Sequence, residues 1–81
     1  MFRKLVKTSD VHVAEQTYRV RYYEVLTING TRRFTSEVIL GPSDRVIVDG
    51  DSVDSLESKV APLVAASVYS RLLATRIGVA A

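Results

Sequence analysis

Asp49, Asp51, Asp54 and Glu57 bring four carboxylates into one short stretch of the chain. Carboxylates at close spacing can bind a divalent cation or divide acid and base work between them. Neither chemistry fits here. A calcium loop needs a glycine at its sixth position and a glutamate at its twelfth, and the stretch has neither. A hydrolytic pair needs a cleft to raise one pKa, and 81 residues leave little room for one. Acids just ahead of a helix are accounted for by capping and by the helix dipole. No metal or other cofactor is expected.

His12 is the only histidine, and cysteine is absent. That removes a His-based zinc site, a Ser/His relay, disulfides and thiolate chemistry together. His12 stands between Val11 and Val13, the setting of a surface or edge-strand residue. No glycine-rich phosphate loop, H-E-x-x-H or G-x-S-x-G motif occurs. The chain reads as non-enzymatic, with no catalytic residue to nominate.

The arginines are the other chemical signal. Arg19, Arg21 and Arg32 fall on one face of a predicted β-ribbon, Arg33 sits beside its turn, and Tyr23 and Phe34 interleave with them. Guanidinium groups pair with phosphate, aromatic rings stack on bases, and a two-stranded ribbon fits the major groove of DNA. Nucleic-acid binding through Arg19, Arg21, Arg32 and Arg33 is therefore the alternative function. The plainer account is that long arginine stems cover apolar sheet surface with their heads in water. A net charge of +2, eleven basic against nine acidic residues, gives no general attraction to a polyanion.

The ribbon that would carry these arginines is Thr17 to Leu40, two runs of β-branched and aromatic residues around Asn29-Gly30. Asn-Gly predicts a two-residue type I′ turn, which sets Val25 opposite Phe34 and Val20 opposite Ile39. That register leaves neither face cleanly polar. A bulge near Tyr22-Tyr23-Glu24, or a cover on both faces, is then required. Gly41-Pro42-Ser43-Asp44 closes the second strand, and Arg45 to Val48 reads as a short third one. Phe2–Lys7 and Val11–Ala14 are short strands or a lead-in, with Thr8-Ser9-Asp10 as the turn between them. The element order strand, strand, strand, helix is similar to that of sheet-based DNA readers such as the arm-binding domains of tyrosine recombinases, a likeness of order alone.

After Asp51 the apolar period changes from two to 3.6. Asp54 with Glu57 predicts a capping-box start, Ser52 being the competing cap, and the helix should run to about Arg76 with Gly78 as its stop. Pro62 predicts a kink or a break into two helices. The expected fold is α+β: a three-stranded antiparallel meander packed on one long C-terminal helix. It forms one domain, 1–81, with 1–14 as arm or short strand, 17–48 as sheet and 52–77 as helix.

The helix is apolar nearly all round, more than a three-stranded sheet can cover. Ala66, Ser70 and Ala74 also recur every four residues. A chain this short buries only about 60–65% of its unfolded surface, so oligomerisation is the open route to a larger core. The expected function is a small homodimeric interaction module, with Leu63, Ala66, Ser70, Leu73, Ala74 and Ile77 at the dimer interface. Its partners are a second copy and, through the ribbon, another protein. The basic N-terminus lacks an apolar run behind it, and the uncharged run Val60–Ser70 is too short to cross a bilayer core of about 30 Å. A cytoplasmic protein without membrane contact is the expectation.

Overall fold

β-branched and aromatic residues dominate the first fifty positions, and there the chain runs as strands. They are β1 (Phe2–Val13), β2 (Gln16–Leu26), β3 (Arg32–Gly41) and β4 (Asp44–Gly50), followed by helix α1 (Val53–Arg76). The computed structural model describes residues 2–76. The strands form one antiparallel meander in the order β1-β2-β3-β4, with α1 across one face. The sheet thus has four strands rather than three. Thr8-Ser9-Asp10 makes no turn; it pairs with Arg21, Val20 and Arg19 inside a continuous β1. The resulting order, four strands then a helix, departs from that of the recombinase arm-binding domains.

The type I′ geometry expected at Asn29-Gly30 occurs at a different loop. Between β2 and β3, the Gly30 N–H donates to the Thr27 carbonyl at 3.0 Å and the Thr27 N–H to the Thr31 carbonyl at 3.0 Å. Gly30 has φ +79° and Asn29 is not left-handed, so the loop is Ile28-Asn29-Gly30, a type I turn closed by a left-handed glycine. Between β1 and β2, Ala14 and Glu15 have φ of 51° and 64° and join the facing pair Val13 and Gln16. Positive φ at both central residues is what a type I′ turn demands, and here it is met without glycine.

The third loop residue moves the β2–β3 register by one. Val20 faces Val38, Tyr22 faces Ser36 and Glu24 faces Phe34. Side chains alternate with period two, so a one-residue shift changes the face of every β3 residue. The mixed faces separate: Tyr18, Val20 and Tyr22 now share a side with Phe34, Ser36, Val38 and Leu40. The β2–β3 ladder is regular through Tyr22-Tyr23-Glu24 and β2 carries no bulge there, whereas the β1–β2 ladder is irregular opposite Tyr22 and Tyr23, with the extra residue on β1. The irregularities lie between Leu5 and Lys7 on β1 and between Ile39 and Gly41 on β3.

The core is Val13, Val20, Tyr22 and Val38 from the sheet, and Leu56, Val60, Val64 and Val68 from the helix. The buried Tyr22 hydroxyl lies 3.2 Å from Ser9 Oγ, so its polar end is satisfied. The Ser52 side chain caps the helix: its Oγ accepts from the Ser55 N–H at 3.1 Å, and its carbonyl accepts from the Leu56 N–H at 3.1 Å. Asp54 lies inside the first turn and not at the cap. Pro62 does not divide the helix; α1 is continuous from Val53 to Arg76, with Pro62 on its exposed side. Gly78, the expected stop, lies outside the described residues.

Candidate self-association surface

Leu56, Val60, Val64 and Val68 are spaced by four, so each step turns about 40° around the helix. The buried stripe therefore winds, and it follows the surface of a twisted sheet. Glu57 and Leu63 lie three residues to either side of Val60 and so fall on opposite flanks of that stripe. Glu57 accepts a hydrogen bond from Lys7 on β1 at 2.5 Å, and this contact raises the Lys7 pKa. Leu63 is on the other flank.

The outward side of α1 is apolar. Leu63 is 42% exposed, Tyr69 57% and Leu73 58%. Ala66, Ser70 and Ala74 are exposed beside them, so five of the six residues proposed for the interface share the uncovered side of the helix. Ile77 lies outside the described residues. No charged residue occurs between Lys59 and Arg71. A solvent-facing helix surface is ordinarily rich in charge; over three turns this one has none. Leu72, half exposed, joins Tyr18, Leu40, Val68 and Arg71 around a shallow hollow on the flank toward β2.

The four arginines do not form one cluster. Arg19, Arg21 and Arg33 project from the sheet face away from the helix, whereas Arg32 projects from the opposite face, a consequence of the register. Arg19 pairs with Asp10 at 3.4 Å, Arg32 with Glu24 at 3.3 Å, and Arg33 with Asp51. Arg19 and Arg33 are separated by about 20 Å along the strands at ~3.3 Å per residue. Arg21 has no acidic partner among the described residues. Tyr23 is covered by Arg3, whose guanidinium lies 4.0 Å from the ring centroid. Phe34 packs against the core, so it does not interleave with the outer arginines.

The acids disperse as well. Asp51 pairs with Arg33 and Glu57 with Lys7, and no group of three or more His, Asp or Glu able to hold a metal occurs among the described residues. His12 is exposed, its Nδ1 2.8 Å from Thr17 Oγ1. No described helix is long and apolar enough to cross a membrane.

One surface was not nominated from the sequence. Among the described residues β4 has a neighbour on one side only, and Arg45, Ile47 and Asp49 all project, exposed, from its outer face. The signal was present in the alternation Arg-Val-Ile-Val-Asp, but a third strand read as Arg45–Val48 excludes Asp49 from the pattern. No protein-family model matches the chain, and no curated protein or solved structure matches it.

Proposed function

We propose that the protein is a small non-enzymatic interaction module that acts as a homodimer, with the outward side of α1 as its association surface. The observation that supports this is the uncharged, exposed run between Lys59 and Arg71, carrying Leu63, Ala66, Tyr69 and Ser70, with Leu73 beyond it. An apolar patch of this kind on a monomer marks a protein contact. The occupant argued for is a second copy, because a domain with eight buried apolar side chains among its described residues gains most by sharing a core.

Sedimentation equilibrium over a range of concentrations tests the reading. The wild type should be dimeric, and Leu63→Asp with Leu73→Asp should shift it to monomer without unfolding it. A wild type that stays monomeric at high concentration ends the proposal. The nucleic-acid reading draws less support, since three of its four arginines are already matched to acids within the chain. Retention on DNA or RNA that falls steeply with salt would revive it.

A further inference from the structure

The two edges of the sheet are built differently. β1 is long, broken by the irregularity at Leu5–Lys7, and carries Arg3, Lys4 and Lys7. Lysines and bulges are the usual means of keeping an edge from pairing. β4 has neither between Asp44 and Gly50, and its centre is Val46-Ile47-Val48. The charges on its outer face are symmetric about Ile47, with Arg45 two residues before and Asp49 two residues after, while Asp44 turns to Arg71 on the helix side. An antiparallel strand centred on Ile47 would set each Arg45 against an Asp49, each Val46 against a Val48, and Ile47 against itself. The strand is complementary to its own copy.

From this geometry we infer that β4 pairs antiparallel with β4 of a second copy, joining two four-stranded sheets into one of eight strands about a two-fold axis at Ile47. A two-fold interface requires that one patch recognise itself, and the Arg45/Asp49 arrangement does so twice, once on each side of the axis. Ile47, 53% exposed on the outer face, gains its twin as a neighbour. Arg45 donates through Nη1 to Glu37 at 3.0 Å and keeps its remaining N–H groups for Asp49 of the second copy. Asp49 has no ion-pair partner within the chain among the described residues. The same two-fold sets both helices on one side of the joined sheet. The inference rests on the self-association reading and adds the β4 edge to the α1 surface as a contact between copies.

The test is charge exchange in the full chain, read by sedimentation equilibrium and native mass spectrometry. Arg45→Asp places acid against acid and Asp49→Arg places base against base, so each alone should weaken the dimer about tenfold or more. An equimolar mixture of the two variants restores both pairs, and a heterodimer should form in preference to either homodimer. The double variant R45D/D49R loses the Arg45–Glu37 bond yet restores both cross-seam pairs, so it should dimerise more tightly than R45D alone. Asp49→Arg leaves the Arg45–Glu37 bond intact, so its effect does not arise from lost folding. A wild-type dimer that is indifferent to both single exchanges, or a mixture that yields no heterodimer, overturns the β4 seam while leaving self-association standing. A wild type that never dimerises overturns both.

Discussion

Arg71 in the second half of α1 holds Asp44, the first residue of β4, with Nη2 2.6 Å from Oδ1 and Nε on the other carboxylate oxygen. Arg71 Nη1 also donates to the Ser67 carbonyl at 3.0 Å, which fixes the guanidinium on its own helix. The contact ties the far end of the helix to the start of the edge strand, 27 residues away in sequence.

This pair predicts a pH dependence of stability. The hydrogen bond from Arg71 lowers the Asp44 pKa below its ordinary 3.8. A group whose pKa is lowered by folding contributes stability that is present above the unfolded value and lost as pH falls through the folded one. Urea unfolding of wild type and Asp44→Asn should therefore differ most well above pH 3.8 and converge as the pH falls below it through the lowered folded-state pKa. A difference that stays constant across that range counts against the contact.

The β1–β2 turn predicts a gain. Ala14 and Glu15 hold left-handed φ, which costs an L-residue with a Cβ about 1–2 kcal/mol. Ala14→Asn with Glu15→Gly supplies the residues that adopt this backbone freely, and should stabilise by about 1–2 kcal/mol in a denaturant titration.

Two glycine-to-alanine changes should both destabilise, for different reasons. At Gly30 a Cβ meets nothing within 4 Å, so the cost is only that of φ +79°, about 1 kcal/mol. At Gly50 a Cβ would sit 3.0 Å from Leu56 Cδ2, so the fully buried Leu56 must give by a few tenths of an ångström. A second change, Leu56→Ala, opens space for that Cβ. The Gly50→Ala penalty should therefore shrink in the Leu56→Ala background, whereas the Gly30→Ala penalty should not.

Pro62 leaves the Ser58 carbonyl without its helical donor inside a continuous α1, and alanine restores that bond. Pro62→Ala should stabilise by about 1–3 kcal/mol. In a domain of this size that corresponds to a rise in Tm of at least about 4 °C by calorimetry.

Inner and outer helix residues should separate in a further experiment. Leu56 is fully buried and its truncation to alanine should cost about 2–5 kcal/mol of folding free energy. Leu73→Ala should cost under about 0.5 kcal/mol at protein concentrations where the chain is monomeric, and should weaken association instead. Equal effects of the two on folding would mean that the outward side of α1 is not an interface.

The parts of this protein that the sequence determined are those written in local chemistry. The α+β class, the strands around Asn29-Gly30, the break at Gly41-Pro42 and the helix from the low fifties follow from period, propensity and turn residues acting over a few positions. So does the absence of charge between Lys59 and Arg71, the basis of the interface proposed on α1. The tertiary structure alone decided the register, because a three-residue and a two-residue loop both use Gly30 and differ only in which strand faces pack on the helix. Burying Val20 and Tyr22 with Ser36 and Val38 selects the longer loop, and that choice sends Arg32 to one face and Arg33 to the other. β1 was hidden for a related reason: FRKLVKTSDVHV has no strong alternation of its own, and only the ladder offered by β2 makes it one strand. The edge at β4 likewise exists only once the order of strands is set, since a strand becomes an edge by what lies beside it.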